Sequence, residues 1–475
     1  MFGDAVPGSS TRSAYLGTPV STSEINDYLT PSTYSLVEPA PSETLLSAVH
    51  QQNQDKRLEQ VVPRSKSNHV TMLSLSFSVP RGVNANNQMR QSYLFFILEE
   101  YQCHRVDKFF KPPPISMRDF LTAQIKRSRI MGFMYLGAKI FETFRKKPEK
   151  VAIRSCSEWV ARHANRVTNP EEPTNPDPSA QDVHDTLAGL LELTIAQFIV
   201  SGTAAGYNTL RLALPKFLHL VSYDPNLWIE QGSNGLLCTS LPAVLSSDLV
   251  QTRRFVYHDI MYSFILGLPT LAEYDSTGFP TVHGANIPFE WVHGVHGVPI
   301  EMIVNIAEID NWRAQKKRMD WRALETRALE WRWRQREIHS EESVEMVFRA
   351  AIQESWRHAT LIYIYMGICG VTSHDPRVQT SVHQIVKLMR VVGDNHMDVH
   401  FSIPSVVAGL AAQHEGQRTL ILRKLKTFNG LRVWILRGQD FARVLQYLWS
   451  GPGANGAAIG WDDYVQARCK VLPIW

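Results

Sequence analysis

From residue 88 onward the chain is a succession of long segments in which large apolar side chains recur every three or four positions. DVHDTLAGLLELTIAQFIV sets Leu187, Leu191, Ile195 and Phe198 on one stripe, and MDWRALETRALEWRWRQRE sets Trp321, Leu324, Ala328 and Trp331 on another. HDPRVQTSVHQIVKLMRVV adds Val382, Ile385, Met389 and Val392, with Asp375 placed as N-cap and Pro376 at the first helical position. This spacing follows the turn of an α-helix and not the alternation of a strand. IPSVVAGLAAQ, EGQRTLILRKLKTF, GQDFARVLQYLWS and WDDYVQARCKVL continue it toward the C-terminus. Gly202 and Gly206, four apart behind the first stripe, predict close helix packing. No βαβ alternation and no fixed-period repeat breaks the pattern. The expected fold is therefore all-α, with packed antiparallel helix pairs forming a single large helical domain, and not a sheet or a TPR-like or HEAT-like solenoid.

The helical texture does not start at once. Residues 1–65 are rich in Ser, Thr, Pro, Gln and Asn and poor in large apolar side chains, so they are expected to be a disordered leader. The helical domain is expected over 66–475, with the Pro-rich stretch TNPEEPTNPDPSAQD at 168–182 as an internal loop. VTMLSLSFSV, Val70 to Val79, reads equally as a strand or an extended arm. With 44% apolar residues in 475 there is enough material for a sizeable core.

A formal net charge of +4 is too small and too dispersed to mark nucleic-acid binding. Cys103, Cys156, Cys238, Cys369 and Cys469 lie far apart with no CxxC pair, which fits reduced thiols and not a disulfide framework. The N-terminus lacks the features of a secretory signal, and the longest greasy run, ATLIYIYMGICGV from Ala359 to Val371, falls short of the ~20 residues that span a bilayer. A soluble intracellular protein with no membrane partner is expected.

Three stretches bear on chemistry. FEWVHGVHGVPIEMIVNIAEIDNWRA, residues 289–314, brings His293, His296 and Glu301 close in sequence, with His283 nearby, and two imidazoles with a carboxylate suit zinc or iron. Gly294, Gly297 and Pro299 argue instead for a loop, and the HExxH arrangement is missing. The reading adopted has no metal: Pro299 opens a helix whose Met302, Ile303, Ile306 and Ile309 face the core, with Glu301 against its N-terminal dipole. GPGANG, Gly451 to Gly456, matches G-x-G-x-x-G but follows an amphipathic helix with no room for a βαβ unit, so it reads as a helix end and turn. Between Asn311 and Ser340 basic residues interleave with Trp312, Trp321, Trp331 and Trp333, a composition that nucleic-acid surfaces use. Trp321 and Trp331 share the stripe of Leu324 and Ala328, so they are expected in the core with the arginines on the solvated face. No nucleophile elbow, P-loop or Cys–His pair is present. Neither catalytic residues nor a cofactor are expected, and the chain is not read as an enzyme.

Several stretches, in order, resemble a known family. They are GTAAGYNTLRLALPKFLHLV (Gly202 to Val221), RRFVYHDIMYSFILGLPTLAEYD (Arg253 to Asp275), the His293 segment, ESWRHATLIYIYMGICGVTSHDPRVQTSVHQIVKLM (Glu354 to Met389) and FSIPSVVAGLAAQHEGQRTLILRKL (Phe401 to Leu425). Together, across most of 185–430, they are similar to the fungal-specific transcription factor domain in its basidiomycete form, the helical regulatory region that usually follows a Zn2Cys6 cluster. The resemblance implies a nuclear regulator that works through protein partners of the transcription machinery or a DNA-binding partner, with a small-molecule effector between helices. One departure limits it: a binuclear cluster needs six closely spaced cysteines, and this chain has five, all distant. Direct sequence-specific DNA binding is therefore not expected from it. The alternative is a cytoplasmic or nuclear helical scaffold that kept the fold without regulatory output.

Overall fold

The structure is a computed structural model that describes residues 87–113, scattered positions from 119 to 126, and residues 128–146, 148–168, 179–231, 236–279, 290–315, 319–333 and 343–474. The expected leader at 1–65, the run at 70–79 and positions 169–178 of the expected loop lie outside the described residues. What is described is all-α, as the periodicity dictates.

Helices α1 (Asn87–His104), α2 (Ser128–Arg145) and α3 (Lys150–Thr168) precede the central helix α4 (Ala180–Val200). Ser179 starts α4: its hydroxyl accepts from the Asp182 amide at 3.2 Å and so satisfies one of the first-turn donors. Leu187, Leu191, Ile195 and Phe198 are buried as their stripe requires, but so is nearly every other position of α4 from Leu187 to Val200. The reason is its place in the packing, with α2, α3 and α5 (Thr203–Ser222) all against it. A helix surrounded on all sides becomes apolar all round. Among the described residues α4 is the one helix long and apolar enough to cross a membrane, although Asp182, Asp185 and Glu192 interrupt its apolar run. Its most apolar window is 78% buried inside the protein, so it is a core helix.

The two glycines after α4 do different jobs. A Cβ at Gly206 would stand 2.4 Å from the Phe198 ring, which is the close packing expected of the pair. Gly202 instead makes the turn between α4 and α5 at φ +101°, a conformation only glycine adopts readily. The α5 amide of Thr203 then takes the Asp440 carboxylate at 2.9 Å as its cap.

A small three-stranded sheet interrupts the helices. Strand β1 (Trp228–Gln231) pairs antiparallel with β2 (Leu236–Ser240), and β2 pairs parallel with β3 (Tyr274–Asp275). The helical reading did not foresee it, because strands this short show too few alternations to be distinguished from loop. Around it stand α6 (Leu241–Ser246) and α7 (Val250–Leu266).

The second half is a chain of neighbouring helices. After α8 (Glu290–His296), α9 (Ile300–Gln315), α10 (Trp321–Glu330) and α11 (Ser343–Tyr363) come α12 (Pro376–Val392), α13 (Ser402–Ala411), α14 (Glu415–Thr427), α15 (Gly438–Ser450) and α16 (Trp461–Val471). From α11 onward each packs on the next. Asp375 caps α12 by accepting from the Arg377 amide at 2.9 Å, and Val382, Ile385, Met389 and Val392 are all buried. On α10, Leu324 and Ala328 are buried and Trp331 follows at the helix end, 9% exposed. GPGANG ends α15 and turns the chain through a short 3-10 segment, Ala454–Gly456.

Two features tie distant parts together. Tyr464 Oη donates to the Ile265 carbonyl at 2.5 Å and Arg468 Nε to the Leu266 carbonyl at 2.7 Å, so α16 satisfies the open C-terminus of α7 with a cation on its negative end. Asp398, 0% exposed, accepts from Lys424 at 2.7 Å and from Arg432 at 2.6 and 2.8 Å, joining the turn before α13 to α14 and the loop after it. One continuous cluster of buried apolar side chains runs from Phe110 to Leu472. A second, smaller one, with Ile97, Ile130, Met131 and Met134, lies between α1, α2 and α4.

Candidate functional site

His293 and His296 stand on a helix, α8, and not in the loop that the surrounding glycines led us to expect. Gly294 is accommodated within that single short helix, and Gly297, at φ +70°, ends it in the left-handed conformation, its amide bonded to the His293 carbonyl at 2.9 Å. Pro299 sits one position earlier than expected, just ahead of α9, where its carbonyl accepts from the Ile303 amide at 3.3 Å. Met302, Ile303, Ile306 and Ile309 are fully buried, as expected.

The two imidazoles serve different surroundings. His293 Nε2 lies 2.5 Å from the Gln353 side-chain amide, and its ring meets Phe110 edge-on at 5.6 Å. His296 stacks on Tyr257 at 4.0 Å and meets His258 edge-on at 6.1 Å. Glu301 lies in the first turn of α9. Among the described residues no group of three or more His, Cys, Asp or Glu side chains is placed to hold a metal ion, and His283 lies outside them.

The basic, Trp-rich stretch divides similarly. Arg327 bonds Asn305 and Glu308, and Arg313 bonds the Gly367 carbonyl and Asp462. These cations are committed to holding α9, α10 and α16 in place. Residues 316–318 and 334–342 lie outside the described residues.

His296 does border a cavity of about 380 Å³ between α1, α2, α4, α7 and α8. Leu98, Val106, Ile130, Met134, Ile195 and Val295 supply apolar wall, and Arg105, Glu192, Gln251, Arg254, His258 and His296 supply its polar side. Such a mixture, mostly apolar with a few convergent polar groups, is the usual form of a small-molecule pocket. Two glycines let its helices close up. A Cβ at Gly189 of α4 would lie 2.5 Å from the Phe133 ring of α2, and one at Gly137 of α2 would lie 2.5 Å from Tyr101 Oη.

Glu192 is the hub of the polar side. It accepts from Tyr101 Oη at 2.9 Å and from Arg254 at 2.8 Å, and Arg254 also donates to Gln251 at 3.0 Å. Arg105 is held otherwise: it donates to the Val433 carbonyl at 3.2 Å and lies 4.3 Å over the Trp434 ring. Burial lowers its pKa to about 10, which leaves it charged at neutral pH. Burial also pushes His258 down to about 3 and His296 well below the ordinary imidazole range, so both are neutral there.

These imidazoles make stability depend on pH. His258 and His400 titrate at about 3 in the folded protein and His296 also titrates low, all chiefly through burial, against an ordinary value of 6.5. Below pH 6.5 the unfolded chain takes up protons that the native state refuses. Their stabilisation is thus complete above that pH and falls as pH drops, by about 1.4 kcal/mol per pH unit for each group. Buried Asp259, raised to about 6, and Asp310, which burial also pushes well above the ordinary carboxylate range, act in the opposite sense, because they hold protons in the native state that the unfolded chain has released. With more imidazoles than carboxyls of this kind among the described residues, the urea midpoint is expected to be lower at pH 5 than at pH 7. An equal or higher midpoint at pH 5 would show that these rings are not buried neutral.

The family profile of the fungal specific transcription factor domain matches residues 160–472, more than half of the chain. The protein belongs to this family. Neither a curated protein nor a solved structure matches it. The fungal specific transcription factor domain, as matched, begins within α3 and ends just past α16, so α1 and α2 precede it. Half of the cavity wall, including Leu98, Tyr101, Arg105 and Met134, therefore comes from outside the part the family shares.

Sequence reasoning weighed His296 only as a metal ligand, a reading it did not adopt, and missed Arg105, Glu192, Arg254 and His258. A signal was available. Glu192 interrupts an otherwise apolar run, LLELTIAQF, and Arg254 and His258 recur at helical spacing in RRFVYHD. A charge on the buried face of a helix requires a partner, and that partner was the site.

Proposed function

We propose that this protein is a nuclear transcription regulator whose helical region, taken as residues 66–475, binds a small effector and passes the response to protein partners. Family membership supports the regulatory role, and the cavity between α1, α2, α4, α7 and α8 is the observation that carries the effector. An effector acts by binding one packing of the helices more tightly than another. In this reading the protein is not an enzyme, and His293, His296 and Glu301 pack the turn into α9 and bind no metal. Contact with promoters is made through a DNA-binding partner.

The test is a full-length copy tethered to reporter DNA by a heterologous DNA-binding domain, alongside localisation of a tagged copy. Nuclear accumulation and a changed reporter level are expected. An unchanged reporter with exclusion from the nucleus would favour the second reading, a helical scaffold. That reading draws on one observation: all five cysteines are free and widely spaced, so this chain has no zinc cluster of its own.

A further inference from the structure

We propose that the cavity binds an amphipathic monocarboxylate, its carboxylate on Arg105 and an apolar body of about ten carbons along Leu98, Ile130, Met134 and Ile195. This rests on the effector reading above and names the class of effector.

Charge balance carries the argument. Among the described residues, two guanidiniums and one carboxylate face the cavity. Glu192 and Arg254 neutralise each other at 2.8 Å, with Tyr101 and Gln251 completing their hydrogen bonds. Arg105 has, among the described residues, one carbonyl and one aromatic face but no carboxylate at ion-pair distance. His258 and His296, neutral at pH 7, add no charge. The two guanidiniums and the carboxylate together carry one net positive charge, centred on a half-buried Arg105 that Glu192 attracts only from longer range, beside a largely apolar space, and a carboxylate is the planar group a guanidinium fork accepts best.

Size and sign restrict the rest. A cavity of about 380 Å³ holds roughly a dozen water-sized groups, which suits a medium-chain acid. Glu192, on the same side, disfavours a ligand of higher negative charge, and Arg105 disfavours an ammonium. The ligand would bridge α1 and α2 to α4 and α7. Through Arg105 it would also bear on Val433 and Trp434, in the loop that Asp398 anchors through Arg432.

The probes are decanoate, decanol and decylamine, titrated calorimetrically into the full chain. Decanoate should bind at least about tenfold more tightly than decanol, and decylamine more weakly still. Arg105→Gln should weaken decanoate about tenfold while leaving decanol within about twofold. Because Arg105 also fastens the Val433 loop, Met134→Trp is the second variant: it fills the apolar end and should abolish binding of decanoate and decanol alike, with the melting transition retained. Equal affinity for all three probes, no binding of decanoate, or decanoate binding that survives both variants overturns the proposal. The reporter assay is independent of it. A tethered chain that regulates without binding decanoate loses the ligand and keeps the role, and one that binds decanoate but never regulates does the reverse.

Discussion

Asp398→Ala should destabilise the protein by about 3–5 kcal/mol, read as a large drop in the urea midpoint at pH 7. Asp398 has a side-chain exposure of 0% and Lys424 of 8%, whereas Arg432, at 40%, can turn to water. Removing the carboxylate therefore leaves the Lys424 ammonium buried, with the Gly393 carbonyl and the exposed Asp394 as its remaining partners. An uncompensated buried charge costs more than the pair contributed. The double variant Asp398→Leu with Lys424→Met should recover most of the loss, because it removes the desolvated charges together and leaves apolar packing. If the double variant is as unstable as the single one, the ion pair is not the origin of the effect.

Trp461→Ala should cost a similar amount, about 3–5 kcal/mol, for a different reason. The ring is 2% exposed and packs between Phe264, parallel at 5.9 Å, and Tyr363 at 4.4 Å, with Tyr464 at 5.6 Å. Truncation would open a void where α16 meets α7 and α11, and would loosen the two hydrogen bonds that α16 gives to the end of α7. Trp461→Phe is the control. The indole N–H has no acceptor among the described residues, so the smaller ring forfeits contact area but no hydrogen bond, and should cost less than about 1.5 kcal/mol. Equilibrium unfolding of both variants decides it, and an equal loss for Ala and Phe would place the energy in the N–H after all.

What could be read from residues alone was whatever is local. The Asp375–Pro376 start of α12 and its four-residue stripe need only a few consecutive positions, and they stand where expected. The same holds for Met302, Ile303, Ile306 and Ile309 on α9. Misreadings arose where two local rules competed. Gly294 and Gly297 argued for loop around the histidines, yet one is tolerated inside α8 and only the other, at positive φ, breaks it. Gly202 and Gly206 looked like a matched pair, and backbone conformation separates them. The cavity was least legible. Tyr101 and Glu192 are 91 positions apart, Arg254 and Glu192 62, and Arg105 and Val433 328. Each side chain alone looks like an ordinary charge on a helix, and only tertiary packing makes them neighbours.

The clasp of α16 on α7 also sets an order of events during synthesis. Leu266 leaves the ribosome long before Arg468, which is 202 positions later. At roughly 5–20 residues per second, α7 waits about 10–40 s for the residues that close its C-terminus. Throughout that interval the surface that Trp461 will cover, formed by Phe264 and Tyr363 as each emerges, remains open to water and to neighbouring chains. A chain built in this way depends on what accompanies it off the ribosome as much as on the free energy of the finished fold.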